Sequence, residues 1–467
     1  MDEVPVRTML FSRELPVLPA AEVLLLGGGP AGFCAAIAAR RAGASVTLVE
    51  GGGCCGGMAT RGLVNPFMTC YDATGEHMII RGLFEELVER LVARGGAIHP
   101  KDVTAGSCFT SYIVKGHMHV TPFDPEILKR LMDDMLLEAG VTVRYHTDFL
   151  EPLMAENRVT GAVLASKSGL AALPCKVLID CTGDADAAYR AGVPTELGDE
   201  ESGRIQPASM FFRIGNVDSD RVEQDIIEHK DDFYRKDGVN YRSFHWRVAE
   251  ARAKGDWTLD RVSIGMFRGV KKDEWSINTS RIMRVDGTDA LALTAAEIEG
   301  RRQAEQIYHF LVKYVPGCEH AVLLSTASVI GIRETRHIKG EYTLTVDDVL
   351  NAVAPEDTVL CAANSVDVHG RFGPLSNEYM TVEGGPYYGV PYRCLVPVKV
   401  DGLLVAGRSV SATSEAAGAI RVMPPCMGLG QAAGVAAALC VQKGVEPRAL
   451  PYPALREALL TQKAFLG

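Results

Sequence analysis

Among the 467 residues there is no C-x-x-C pair, no basic cluster, no apolar run long enough to span a bilayer and no basic-apolar leader at the N-terminus. Each absence removes a class of function. Twelve cysteines are present, but Cys54 and Cys55 are adjacent and the others are scattered. Iron–sulfur clusters and structural zinc need closely spaced thiolates, so no metal is expected. Without a leader, a disulfide framework is not expected either, and the expected location is cytoplasmic. Most of these thiols read as small buried hydrophobes. The net charge of −10 repels nucleic acid and anionic lipid, so neither is an expected partner. The longest apolar candidate, Gly428 to Val441, is short and rich in Ala and Gly, and reads as a buried helix.

What is present points to more than one core, because a chain of this length exceeds a single one. The apolar run Val23–Leu26 reads as a buried strand, Ala31 to Ala42 as a helix closed by Gly43, and Ser45 to Glu50 as a second strand. This is a βαβ unit. Leu83, Leu87 and Leu91 recur at helical spacing, and Asp124-Pro125 caps a helix expected to run to Gly140. Strands are expected at Val141–Tyr145, Val159–Ser166 and Cys175–Asp180. From about residue 190 the texture changes. Charges and aromatics become denser, notably over Arg242–Arg247, and all three tryptophans lie there. After about residue 355 the glycine- and alanine-rich texture returns. The expected fold is α/β: a Rossmann-type domain from residues 1–190 and 355–467, with an α+β substrate domain, 191–354, inserted.

Gly27-Gly28-Gly29-Pro30-Ala31-Gly32 fits G-x-G-x-x-G between the first strand and helix. Gly27 permits the tight turn, Gly29 admits a pyrophosphate to the backbone, and Gly32 allows close helix–strand packing. Phosphates would rest on the helix N-terminus, with Pro30 and Ala31 in its first turn. Glu50 ends the second strand, where an acid accepts ribose hydroxyls and disfavours a 2′-phosphate. Gly428-Leu429-Gly430-Gln431-Ala432-Ala433-Gly434 fits the same pattern, but Met423-Pro424-Pro425 before it cannot be a central strand. It is rejected as a second dinucleotide site, and with it a dedicated NAD(P)H domain.

After Glu50 the chain runs Gly51-Gly52-Gly53-Cys54-Cys55-Gly56-Gly57-Met58-Ala59-Thr60, not directly into another βα unit. Such a stretch suits an extended cofactor. Here the sequence resembles the FAD-dependent oxidoreductases of the glutathione-reductase superfamily. The resemblance covers most of the chain: the glycine motif through Thr60, Ile179–Asp186, Gly331–Arg336, Val390–Pro397, Leu404–Ser409 and Arg421–Gly428. His337 and Leu429 depart from it, standing where an arginine and a threonine are common. It implies one FAD, bound covalently or not. By position, Gly56, Gly57 and Met58 follow the ribose-binding acid, Thr182, Gly183 and Asp184 approach the FAD linker, and Phe149 lies near the adenine. Gly407 and Arg408 lie beside the ribityl and pyrophosphate, and Met427 and Gly428 open a helix aimed at the flavin.

For the chemistry, Asp367 and His369 lie in a loop where the resembled subgroup often shows an acid and a histidine. A histidine there would exchange a substrate proton, its basicity raised by the carboxylate. A plain surface loop is the alternative. Arg333, Arg336 and Arg393 are candidates to clamp a carboxylate or polarise a carbonyl, with Arg393 taken as catalytic; salt bridges to Glu334 or Glu341 are the competing use. Tyr387, Tyr388 and Tyr392 either line the substrate or pack. Cys426 is either a redox thiol or buried, and His117 and His119 lack an evident third metal ligand. The function expected is hydride transfer between a small polar substrate and the flavin: oxidation of an alcohol or amine C–H, or reduction of an activated C=C. A flavin electron-transfer subunit docking a redox protein is the alternative. An RNA-modifying flavoenzyme is disfavoured by the acidic charge. Self-association is left open.

Overall fold

The structure, a computed structural model, describes residues 9–113, 117–370, 375 and 377–467. Strand β1 (Ala21–Leu26) is apolar and almost wholly buried, as a strand covered on both faces must be. Helix α1 (Pro30–Arg41) begins on proline, which fits a first turn because no amide is needed there. Strand β2 (Val46–Val49) completes the βαβ unit. Helix α2 (Leu83–Ala93) buries the stripe Leu83, Phe84, Leu87, Val88 and Leu91. Helix α3 (Pro125–Ala139) is capped by Asp124, whose carboxylate accepts the amides of Glu126 at 2.8 Å and Ile127 at 3.3 Å. Gly140, left-handed at φ 76°, stops it.

Strands β3 (Thr142–Arg144), β4 (Thr147–Ala155), β5 (Arg158–Ser166) and β6 (Gly169–Asp180) follow. Strand β6 belongs to two arrangements. Its first half pairs antiparallel with β5, which pairs with β4, while its second half runs parallel to β1. It therefore starts six residues before the expected Cys175. The parallel part is ordered β3-β2-β1-β6, and its carboxyl ends sit level: Leu26 is opposite both Val49 and Asp180. In open α/β sheets that edge is where ligands bind.

A second sheet, antiparallel, is built from β7 (Phe212–Gly215), β8 (Met266–Arg268), β9 (Trp275–Ile277) and, after the long helix α4 (Ala290–Tyr314), β10 (Val322–Thr326), in the order β8-β9-β7-β10. These elements bury their own apolar cluster, which includes Phe212, Trp257, Trp275 and Phe310 and borrows Leu63, Cys108 and Tyr112 from the first part of the chain. Strands β11 (Val366–His369) and β12 (Asn377–Met380) form an antiparallel pair. Strand β13 (Leu403–Val405) then returns to the parallel sheet beside β6, with Val405 opposite Asp180.

Helix α5 (Met423–Lys443) differs from expectation. It starts at Met423, so Met427 and Gly428 lie in its second turn instead of opening it. The prolines that argued against a strand occupy its first turn, where they cost no hydrogen bond. At 21 residues it is long and apolar enough to cross a membrane, but most of it is buried within the protein. Its glycines serve packing. A Cβ on Gly430 would lie 2.1 Å from the Ala31 carbonyl oxygen, and one on Gly434 2.2 Å from that of Ala35. The backbone of α5 thus rests directly on α1, and the second glycine pattern belongs to a helix interior, not a nucleotide turn.

Candidate active site

At the carboxyl edge of the parallel sheet opens a cavity of about 820 Å³ that continues into the second cluster. At its sheet end the βα turn is fitted by glycine. A Cβ on Gly27, left-handed at φ 95°, would meet the Cys181 carbonyl at 2.5 Å, and one on Gly32 would meet the Gly27 carbonyl at 1.8 Å. Gly29 faces open space, and no side chain caps the end of α1. Gly29, Pro30 and Ala31 therefore present a bare helix N-terminus to the cavity, the feature a pyrophosphate requires.

Glu50 also lines this end. Its carboxylate accepts the amides of Gly28 at 2.8 Å and Gly52 at 2.6 Å, and pairs with Arg61 at 2.9 Å. It thus ties the phosphate loop to the following strap and keeps lone-pair capacity for a ribose hydroxyl. Gly56 does not line the cavity; its amide donates to the Gly28 carbonyl at 2.8 Å, which seats Gly57 and Met58 on the wall.

Thr182, Gly183 and Asp184 line the opposite wall, with Gly407 and Arg408. Buried Asp180 organises the first turn, accepting the Thr182 amide and hydroxyl at 3.0 and 2.8 Å and the Ala188 amide at 2.9 Å. Burial pushes its carboxyl upward, against those hydrogen bonds. Arg408 bridges the two turns, donating to the Gly183 carbonyl at 2.6 Å, to Asp184 and to the Ile332 carbonyl.

Besides Gly56, three residues expected at the cofactor lie off the cavity wall. Phe149 sits in β4 against the cluster behind the sheet, off the cavity wall. Met427 and Gly428 are packed inside α5, where Gly428 abuts Leu360. Val422, Met423 and Cys426 face the cavity in their place. The Cys426 thiol is pushed up to about 12 by burial, which favours its protonated form.

At the far end the cavity widens into a chamber whose walls include Tyr112, Phe211, Phe267, Asp367, His369 and Tyr379. Strand β11 brings Asp367 and His369 together because residues two apart on a strand share a face. His369 Nε2 lies 3.0 Å from the Asp367 carboxylate, and Nδ1 accepts from Arg281 at 3.0 Å. A guanidinium always donates, so Nδ1 carries no proton and Nε2–H points to Asp367. Asn377 donates to the same carboxylate at 3.1 Å, and Arg421 lies 3.6 Å from it. Burial works against the Asp367 charge, but His369, Arg421 and His117 outweigh it and hold the carboxyl well below its usual range. Burial, with Arg333 and Arg281, lowers His369 to about 3 against the pull of Asp367. It is a neutral imidazole in this arrangement, and the rise in basicity expected from the carboxylate is not met, because burial and the two guanidiniums outweigh Asp367.

Of the three arginines expected to clamp a carboxylate or polarise a carbonyl, only Arg333 faces the cavity. Arg393 is off it, half exposed and paired with Asp357 at 3.0 Å, so its expected catalytic place is not met. The short turn after Pro391 points it outward while Tyr392 and Cys394 are buried. Arg336 pairs with Asp186 at 3.0 Å. Tyr388 and Tyr392 are buried and donate to the Asn364 and Pro447 carbonyls, and Tyr387 packs edge-on against Phe465, so all three pack. His119 stacks on Tyr71, while His117 faces the chamber. Among the described residues no group of three metal-ligating side chains comes together. His337 is buried with neither ring nitrogen hydrogen-bonded, 3.4 Å from Glu334.

Sequence reading missed Arg242 and Arg421 on the chamber wall and Arg281 against His369. The signal was faint: Arg242 lies in the charge-dense stretch and Arg421 heads a quoted motif, but nothing in their spacing says that they converge.

The family model for FAD-dependent oxidoreductases matches residues 22–459. No curated protein matches the sequence. A flavin-dependent brominase is similar in structure at a TM-score of 0.48 and 12% identity, over 95% of this chain and 83% of that one. A p-nitrophenol 4-monooxygenase from Pseudomonas putida gives 0.46 and 12%, over 94% and 84%. A geranylgeranyl bacteriochlorophyll reductase-like protein from Thermoplasma acidophilum gives 0.43 and 12%, over 96% and 84%. These likenesses are too distant to carry any function across.

Proposed function

Because the chain belongs to the FAD-dependent oxidoreductase family, we propose that it moves a hydride between a small polar substrate held in the chamber and FAD held along the sheet edge. The reaction is oxidation of an alcohol or amine C–H, or reduction of an activated C=C. One observation carries the reading: a single cavity joins the bare N-terminus of α1 to the Asp367–His369 pair. Flavin supplies the two-electron chemistry when bound. Gly29 to Ala31 hold the pyrophosphate and Glu50 the ribose. The Thr182–Asp184 and Gly407–Arg408 turns flank the linker, and the first turn of α5 lies toward the ring. The two-part sheet supports a place beside the glutathione-reductase type of flavoprotein, with residues 191–354 as the substrate domain.

His369 is the group we assign to proton exchange, through Nδ1. Arg281 occupies that atom now, so its guanidinium must turn away when substrate enters. Asp367 holds the ring through Nε2, fixing its tautomer. The purified protein is expected to be yellow and to release one FAD per chain on denaturation. Compounds that bleach it anaerobically identify the substrate. A colourless protein that takes up NAD and no flavin would overturn the reading.

A further inference from the structure

Resting on the reading above, the chamber has a surplus of positive charge that the protein itself does not answer. Arg242 and Arg333 line it from separate segments. Arg333 donates to the Pro207 carbonyl, and Arg242 makes no side-chain hydrogen bond or ion pair among the described residues. Behind them, among the described residues, Arg261 has a buried Nε without a partner, and burial together with the nearby Arg281, Arg242 and Arg333 works against its charge. Asp367, the acid beside these arginines, is already engaged by His369, Asn377 and Arg421, and Glu297 on the same wall pairs with Arg301 and accepts the Ile330 amide. Burial and mutual repulsion lower Arg333 to about 9 and Arg281, its repulsion coming from Arg242, to about 10, with Asp367 opposing in each case.

Cations buried without counter-charge are costly, and proteins keep them where something else supplies the charge. At the sheet end the same residue types are paired: Arg61 with Glu50 and Arg408 with Asp184. The surplus is therefore confined to the chamber. Two guanidinium forks from different segments offer two separate grips, and a planar fork matches a carboxylate with two parallel hydrogen bonds. The remaining wall, with Tyr112, Phe211 and Phe267, suits a carbon skeleton between them.

We propose that the substrate is a small organic dicarboxylate, gripped by Arg242 and Arg333. A carboxylate in the chamber also competes for the Arg281 guanidinium, freeing the His369 nitrogen assigned above to proton exchange.

The test uses the flavin-containing protein at low salt, where charge is least screened. Malonate and succinate are titrated while the flavin absorbance and the thermal midpoint are followed. Both are expected to shift the spectrum saturably and to raise the midpoint, while dimethyl succinate does neither. Arg242→Gln and Arg333→Gln should each weaken binding by about tenfold or more, the loss of a charge-assisted hydrogen bond. Arg242→Lys and Arg333→Lys, which keep the charge and lose the fork, should fall between. Should a glutamine variant not fold, the lysine variants and the diester control decide. Inorganic phosphate should bind at least about tenfold more weakly than succinate. Equal binding of phosphate, equal binding by all variants, or no response to either dicarboxylate in a yellow protein would overturn the assignment. A protein bleached by an uncharged alcohol or amine yet indifferent to dicarboxylates would sink this inference and leave the flavin reading standing. A protein without flavin would sink the flavin reading, and the thermal shift would still report on the dicarboxylate.

Discussion

The two ends of the cavity handle charge in opposite ways. Along the sheet edge, backbone geometry does the holding, and the nearby ions are matched: Glu50 with Arg61, Asp184 with Arg408, Asp186 with Arg336. In the chamber, side chains dominate, and among the described residues of its wall Arg242, Arg333 and Arg421 gather around Asp367. On the proposed reading, a tightly held cofactor of fixed shape would be met by rigid amides and a helix terminus. On that same reading, a substrate that comes and goes would be met by groups whose balance is restored only when it is present. The difference teaches where to look for specificity: at the unanswered charge, not at the nucleotide fold.

The comparison can be broken at the sheet end first, where the largest effect is expected. Gly32→Val places a side chain where even a Cβ would sit 1.8 Å from the Gly27 carbonyl oxygen. The phosphate loop must then separate from α1, and the variant should purify without flavin; full yellow colour in a folded variant would refute the placement. At the chamber end, His369→Ala should retain FAD but slow flavin reduction by substrate by roughly 10²–10⁴-fold, the range for losing a general base. Asp367→Asn should slow it less. Wild-type rates in stopped-flow would remove the histidine from the chemistry.

A smaller effect is expected at the ribose. Glu50→Gln keeps the shape but weakens two amide bonds and the Arg61 pair, so FAD affinity should fall by about tenfold. Equilibrium dialysis against FAD measures it.

Acid should distinguish the two ends by stability. His369, lowered to about 3, and His117, lowered to about 4 by burial and Arg242, stay neutral in the folded protein. Unfolded histidines titrate near ~6.5, so below that the unfolded chain binds more protons than the native one. Their stability contribution is whole above that pH and is lost as pH falls toward the folded values. The thermal midpoint should decline from pH 6.5 to 4.5, and His117→Asn should flatten the decline. The smallest effect belongs to Arg393→Ala. Its exposed pair with Asp357 contributes about 0.2–1 kcal/mol, and turnover should be unchanged.

The sheet end was legible because its demands fall on consecutive backbone positions. A tight turn, an open approach and a close helix contact require glycine at Gly27, Gly29 and Gly32, and the spacing follows from strand and helix geometry. The chamber was legible only where two groups share a strand, as Asp367 and His369 do. Arg242, Arg261, Arg281 and Arg421 come from distant segments, and none was singled out by its own neighbours in sequence, whereas Arg333 stood out only through its family-like motif. Arg393 was misplaced for the converse reason: it lies in a family-like motif, yet the local turn sends it to solvent. The resemblance put the start of α5 at Met427, whereas the helix begins at Met423 because Pro424 and Pro425 are at home in a first turn.

The glycine seam between α1 and α5 also governs which amides meet solvent. With Gly430 and Gly434 seated on the Ala31 and Ala35 carbonyls, the two helix backbones leave no gap for water or for a one-turn slip. Backbone hydrogens in the middle of α5 should thus exchange with solvent only when the whole sheet-end core opens, so their exchange reports global unfolding. The chamber strands β11 and β12, with no such seam, should exchange on their own faster clock.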